Sequence, residues 1–246
     1  MFTSAFVTLA VSALAVATPV KRAPAGAIYQ CTEPNTAALT FDDGPWEYIY
    51  DISGKLLEKG AKGTFFMNGN NWGCIYDEDA AARVKYAYDA GHQIASHTWT
   101  HPHLNDLSWD QVHDEMWRVE SAVQKITGAV PAFMRPPYGE FNDQVLEVAE
   151  QRGQKVIVWD FDSGDSVGVS EEDSKKRYDD TVASHPDTIL ALNHEIYSST
   201  AYDVLPYAID LLQGAGYKLV TVAECLGMEP YQSTGQPSER DDSWTC

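Results

Sequence analysis

The stretch Ala38-Leu39-Thr40-Phe41-Asp42-Asp43-Gly44-Pro45 decides how the whole chain is read. Residues 38–41 read as a short buried strand, and Gly44-Pro45 as the turn that ends it. Two adjacent carboxylates lie between them. On a continuing strand, neighbouring side chains point to opposite faces, so only one could reach a common site. If the strand ends at Phe41 and the backbone turns at once, both can lean into one mouth. Asp-Asp-Gly-Pro by itself is also a common surface turn. Partners supplied by the ends of other strands decide between the two readings.

Working outward, a strand-then-helix rhythm repeats. Residues 48–59 read as a helix with Ile49, Ile52, Leu56 and Leu57 on one face, closed by Gly60. Residues 63–67 read as the second strand, 78–90 as a helix stopped by Gly91, and 92–96 as the third strand. Ser108 opens the clearest helix, with Gln111 three residues on as a capping box. Val112, Met116, Val119, Val123 and Ile126 follow at helical spacing, and Gly128 closes it. Residues 132–134 give a fourth strand, 142–152 an Asn-capped helix and 155–159 a fifth strand. A polar helix over 170–184, a strand over 188–192, a helix over 202–213 and a strand over 218–222 complete the series. From residue 229 the chain is polar and reads as a tail. Seven strand–helix units without a linker predict a parallel α/β sheet covered by helices, most economically a closed (β/α) barrel. The loops after the strands form the active face of such barrels. Candidate reactive residues here follow strands one, three, four, five and six.

The 246 residues are 44% hydrophobic and 22% charged, enough for one domain with a full core. Residues 3–17 are small or apolar and too short to span a bilayer, and Ala15-Val16-Ala17 is a cleavage pattern, so residues 1–17 are expected to be a secretory signal. Val20-Lys21-Arg22 predicts dibasic processing, which makes 18–22 a short propeptide-like segment and 23–228 the folded domain. Losing Lys21 and Arg22 and no acid moves the net charge from −19 to −21. So acidic a chain is not expected to bind nucleic acid or other polyanions, and no other segment suits a membrane helix. An extracellular monomer is expected. Cys31, Cys74, Cys225 and Cys246 fit no metal knuckle and predict two disulfides. Three pairings are open. The favoured one joins Cys31 with Cys225, at the two ends of the barrel, and Cys74 with Cys246, pinning the 229–246 tail to a loop.

His97 and His101 are spaced i, i+4, which puts two imidazoles on one side of a helical turn or tight loop, as a metal requires. Thr98 and Trp99 stand between them, so this is not H-E-x-x-H and no adjacent Glu serves as base. Two surface histidines at this spacing are common. Adding Asp43 gives a His₂Asp set, the usual size for a catalytic zinc with an open position.

Five segments in order, Thr40-Phe41-Asp42-Asp43-Gly44-Pro45, His97-Thr98-Trp99-Thr100-His101, Arg135-Pro136-Pro137-Tyr138-Gly139, Asp162-Ser163-Gly164-Asp165 and Leu190-Ala191-Leu192-Asn193-His194, resemble the five motifs of the polysaccharide deacetylases. These are the NodB-homology enzymes of carbohydrate esterase family 4, chitin deacetylases among them. The first three motifs are specific in combination; the last two are looser. The resemblance implies a distorted, NodB-like (β/α) barrel of about seven parallel strands. It implies that Asp43, His97 and His101 hold a divalent metal, zinc first and cobalt also accepted. Asp42 would be the general base for the attacking water, anchored by Arg135, and the Tyr138 backbone N–H would help hold the oxyanion. His194 would be the general acid, with Asp165 behind it, and Leu192 would shape the acetyl methyl pocket. The family's fourth motif usually ends Asp-Trp, but Ser166 follows Asp165 here, which bears on the groove near His194.

Several residues are weighed outside the motifs. His92, at the start of a strand, reads as structural, His113 and His185 as helix-surface residues, and His103 has no partner to argue for it. Asp160 and Asp162 could hydrogen-bond the fourth-motif loop. Trp46, Tyr48, Trp72, Tyr76, Trp99 and Tyr197 lie in or near active-face loops, with Trp72 and Trp99 taken as substrate-binding, although aromatics also simply fill barrel mouths. The function implied is removal of N-acetyl groups from chitin or its N-acetylglucosamine oligomers, giving chitosan and acetate. With no separate carbohydrate-binding segment after the barrel, oligomers or amorphous chitin are expected to serve better than crystalline chitin. An O-acetyl esterase acting on xylan, a non-catalytic chitin-oligomer binder and a glycosidase using Asp42 with Asp165 are the alternatives.

Overall fold

The computed structural model describes residues 26–246; the expected signal (1–17) and propeptide-like (18–22) segments lie outside the described residues. In chain order the elements are β1 (Thr36–Gly44), α1 (Ile49–Glu58), β2 (Thr64–Met67), α2 (Glu78–Asp89), β3 (Gln93–Ser96), α3 (Trp109–Thr127), β4 (Ala129–Pro131), β5 (Phe133–Met134) and α4 (Asp143–Gln151). Then follow β6 (Lys155–Val156), β7 (Phe161–Asp162), α5 (Glu171–Ser184), β8 (Thr188–His194), α6 (Leu205–Gly214), β9 (Lys218–Val220), α7 (Val222–Cys225) and β10 (Tyr231–Thr234).

Seven parallel strands run β6-β5-β3-β2-β1-β8-β7, with β9 also paired to β1. This is the distorted (β/α) barrel expected. β1 is its axis. Along one side it pairs with β8 from Thr36 to Asp42, and on the other with β9 at its start and β2 at its end. Alternation along β1 separates two cores. Ala37, Leu39 and Phe41 point outward to the helix layer, meeting Ile49, Ile52 and Leu56 of α1. Ala38 points inward, in one apolar layer with Phe66, Ala95, Phe133 and Leu190.

The barrel does not close. Where a fifth strand over 155–159 was expected, β6 stops at Val156, and Ile28 enters beside it: its N–H donates to the Val156 carbonyl (2.8 Å) and its carbonyl accepts from the Val158 N–H (2.7 Å). The chain then crosses to β7, which joins β8. Asp160 stitches this seam, its carboxylate accepting from the Leu190 N–H at 2.7 Å. The seventh strand ends at Val220 rather than Val222, because Thr221 and Glu224 form a reciprocal capping box that starts α7. Val222 and Ala223 then plug the barrel floor beside Cys31 and Cys225. The tail also carries structure, since β10 pairs antiparallel with β4. Both favoured disulfides form, Cys31–Cys225 and Cys74–Cys246. Among the described residues no helix is long and apolar enough to cross a membrane.

Candidate active site

The inward faces of the strands change from apolar to reactive within one or two repeats of strand alternation. Two residues past Ala38, Phe66, Ala95, Phe133 and Leu190 stand Thr40, Asn68, His97, Arg135 and Leu192, and four past Ala38 and Leu190 stand Asp42 and His194. The apolar layer is thus the floor on which the polar residues rest.

Asp43 would face outward by the same alternation. The strand was expected to end at Phe41, but β1 continues to Gly44. The register instead slips between Asp42 and Gly44, and Asp43 adopts the left-handed region at φ 72°. That bulge turns its carboxylate inward, so Oδ1 lies 3.6 Å from Nε2 of His97 and 3.4 Å from Nε2 of His101. The two imidazoles come from a loop rather than a helical turn, with Thr98 (φ 70°) and His101 (φ 58°) also left-handed. Tyr138 (φ 60°) adds a fourth such residue at the mouth, and such conformations cluster where a site needs them. Asn68 braces the histidine loop, its amide donating to the carbonyls of His97 (2.5 Å) and Thr98 (3.1 Å).

Asp43, His97 and His101 form a group that could hold a metal ion. The atoms suit one. His97 Nδ1–H donates to the Arg135 carbonyl at 2.8 Å, which leaves Nε2 as the lone-pair nitrogen facing Asp43. Asp43 Oδ1 is buried without a hydrogen-bond partner. Burial lowers the pKa of both imidazoles, favouring the neutral form that ligates. Burial raises that of Asp43, opposed by the charges of His97 and His194.

Asp42 is buried and ion-paired to Arg135, whose Nη1 donates to Oδ1 at 2.8 Å. The same Nη1 donates to Thr40 Oγ1 (2.6 Å), Nη2 donates to the Val158 carbonyl (2.9 Å), and the guanidinium stacks 4.2 Å from the Phe66 ring centroid. Asp42 Oδ2 points on to His97 Nε2, 3.7 Å away. Opposite, His194 is the last residue of β8 rather than lying beyond it. Its Nδ1–H donates to Asp165 Oδ1 at 2.7 Å, while Asp165 Oδ2 accepts from the His194 N–H (2.8 Å) and the Thr200 hydroxyl (2.7 Å). Burial alone would depress this imidazole, but the bond and charge of Asp165, with Asp42 and Asp43 behind, raise it to about 9. Leu192 is buried in β8.

The aromatics divide. Trp72 is 58% exposed, edge-on to Trp46, and both line a cavity of about 450 Å³ with Asp43, Asn68 and Asn71. Trp99, expected to bind substrate, is instead 2% exposed. Its indole lies against Gly69, where a Cβ would overlap the ring, and under the Arg118 guanidinium at 4.0 Å. No sugar face reaches it. His92 is structural as expected, with Nε2 2.9 Å from the Ser53 hydroxyl and Nδ1 accepting from the Gly63 N–H. His103, without a partner in the sequence reading, stacks on Tyr138 (4.1 Å) and bonds Glu140 (2.9 Å). Thr40, Asn68, Thr200 and Glu195 were also missed. Thr40 and Asn68 were findable, because they continue the inward alternation. Glu195 is wholly buried, with the Trp46 N–H donating to Oε1, and burial raises its pKa to about 8.

A parallel half-barrel with this mouth defines a hydrolase class, and comparison gives the family. The family profile described as polysaccharide deacetylase matches residues 29–157, and the chain belongs to that family. It is 38% identical over 212 residues to a chitin deacetylase of Pestalotiopsis sp, covering 83% of this chain and 68% of that protein. It is 32% identical over 240 residues to the chitin deacetylase of Colletotrichum lindemuthianum, covering 93% of this chain and 97% of that one. The solved structure of a chitin deacetylase from that fungus superposes with a TM-score of 0.80 at 30% identity, over 85% of this chain and 95% of its own.

Proposed function

We propose that this chain is a secreted, metal-dependent deacetylase that hydrolyses N-acetyl groups of chitin or chitooligosaccharides, giving chitosan and acetate. The observation that carries the proposal is the approach of Asp43 Oδ1 to both Nε2 atoms of His97 and His101, beside an Asp42 held by Arg135 and facing the Asp165-backed His194. Two relatives that align over most of this chain are chitin deacetylases. Two disulfides and the composition of residues 1–22 support export to an oxidising compartment.

Asp43, His97 and His101 would hold the cation, zinc by the donor set and cobalt by the same ligands. When bound, it supplies Lewis-acid polarisation and lowers the pKa of water toward about 7. The chain's own groups do the rest. Asp42, kept on Arg135, accepts a proton as water oxygen adds to the acetyl carbonyl carbon. The Tyr138 backbone N–H donates to the developing oxyanion; one such donor contributes roughly 3 kcal/mol. His194 is kept doubly protonated by the bond and charge of Asp165, which raise its pKa to about 9, and it delivers the Nε2 proton to the amine nitrogen as the C–N bond breaks. Leu192 would line the space for the acetyl methyl, and Trp72 would present a face to the sugar.

Acetate release from chitin oligomers and from acetylated xylan, before and after chelation and with zinc or cobalt restored, tests this. Release from oligomers that chelation abolishes and metal restores is expected. Release from xylan alone would establish an esterase. No acetate from either at saturating metal would leave a binding protein, and chain shortening by mass would indicate a glycosidase.

A further inference from the structure

Glu195 ties both ends of the turn that carries the two adjacent carboxylates. Its backbone N–H donates to the Asp42 carbonyl at 3.1 Å, extending the β1–β8 ladder one step beyond His194. Its carboxyl Oε1 accepts the Trp46 N–H on the far side of Gly44 and Pro45. The third tie comes from Asn68, whose N–H donates to the Gly44 carbonyl at 2.8 Å. Pro45 has no N–H to place. One residue thus holds the turn at both Asp42 and Trp46.

The turn needs such fixing. Asp43 is a non-glycine residue at φ 72°, a conformation that persists only where its surroundings over-determine it. Relaxing it would restore strand alternation and swing the carboxylate away from the imidazoles. The fit is close on the other face too. A Cβ on Gly44 would overlap the Glu195 carboxyl, so any larger residue at position 44 would have to displace that side chain. Glu195 is fully buried, and its Oε2 has no hydrogen-bond partner. An apolar side chain of this volume would remove the orphaned Oε2 but leave the Trp46 N–H without its acceptor, so what the carboxyl supplies here is that tie rather than packing.

We propose that Glu195 is a positioning residue, clamping the 42–46 turn so that Asp43 Oδ1 stays on His97 and His101 while Asp42 stays on Arg135. The inference rests on reading Asp43 as a metal ligand. It assigns Glu195 no contact with substrate.

The test measures zinc affinity directly, by competition with a chromophoric chelator, in wild type, Glu195→Gln, Glu195→Leu and Gly44→Ala, each checked for folding by circular dichroism. Glu195→Leu fills the volume without an acceptor and is expected to lose about 10–100-fold in zinc affinity, the range for residues that orient a ligand. Reloaded at saturating zinc, it should show reduced kcat with KM little changed. Glu195→Gln keeps the oxygen that accepts from Trp46 and should follow the wild type. Gly44→Ala, which displaces the clamp while keeping Glu195, should weaken zinc like Glu195→Leu and add little in that background. Wild-type zinc affinity in Glu195→Leu would overturn the proposal. So would an equal loss in Glu195→Gln. If Asp43→Ala also binds zinc like wild type, the metal reading itself fails, which is a separate result.

Discussion

Asp42 and His194 are register partners across β1 and β8. The two groups proposed as base and acid thus face one another from the ends of adjacent, hydrogen-bonded strands. Their separation is set by a ladder, not by loops, the more rigid way to hold a catalytic pair.

The His194 side of that pair sets a pH dependence. Its imidazole is buried, which disfavours charge, yet the Asp165 bond and charge raise it to about 9. The protonated form is the competent acid, so activity should hold through neutral pH and fall as pH rises through about 9. The folded pKa lies above the ordinary 6.5, so the associated stability is full below that value and is lost as pH climbs through about 9. Asp165→Asn removes the opposing charge and should move the alkaline limb of kcat toward lower pH, while thermal unfolding shows a folded protein. A limb that stays in place would remove His194 from the acid role.

Arg135 holds the other side. It is wholly buried, and replacing it by Met leaves Asp42 as an uncompensated buried charge. Breaking such a pair costs about 3–5 kcal/mol. Urea unfolding of Arg135→Met should show a loss of that order, and Asp42→Asn combined with it should cost less than the two singles summed. Arg135→Lys should not restore activity, because an ammonium cannot reach Asp42, Thr40 and the Val158 carbonyl together. Strictly additive losses would mean that Asp42 does not depend on Arg135.

The barrel and most of its mouth were legible because both follow from period-two alternation and glycine-stopped helices. Asp42, His97, Arg135 and His194 sit on inward strand positions or their continuation, where a repeat of small and apolar residues marks the inner face. Three features were hidden. The Asp43 bulge is a backbone event with no residue signature beyond the flanking turn. The seam at Ile28 pairs residues more than a hundred positions apart and truncates a strand whose own propensity is good. Trp99 was misread because a residue between two candidate ligands shares their loop, while the left-handed backbone at Thr98 breaks the alternation and its ring packs on Gly69 in the outer core. The Thr221–Glu224 capping box was readable from four residues and was passed over.

The two tryptophans make opposite predictions. Trp99 packs with Tyr76 and Arg118 in the core, so Trp99→Ala should cost about 3–5 kcal/mol of stability. Trp72 is largely exposed beside the cavity, so Trp72→Ala should shift stability by no more than about 0.5 kcal/mol while raising KM for oligomers. Urea melts and steady-state kinetics on both variants separate the roles. A stability loss at Trp72 without a change in KM would make it a packing residue.

The Cys74–Cys246 bridge spans a sequence separation of 172 and brings the chain's last residue to the loop that carries Trp72. Trp244 packs on Tyr76 at 5.5 Å, and Arg240 donates to the Tyr76 carbonyl, so the tail backs that loop from outside. Closing so long a loop restricts the unfolded chain, worth about 4–5 kcal/mol on the chain-entropy model. Because β10 stays paired with β4, the double variant Cys74→Ser with Cys246→Ser should remain folded but lose a few kcal/mol, on the order of 2–5 by the range for native disulfides. Cys74 also lines the cavity beside Trp72, so untethering should raise KM for oligomers before it lowers kcat. Denaturant unfolding and oligomer kinetics on the oxidised wild type and the double variant test both effects. Unchanged KM with reduced stability would confine the bridge to a structural part, and unchanged stability would mean that β10 alone holds the tail.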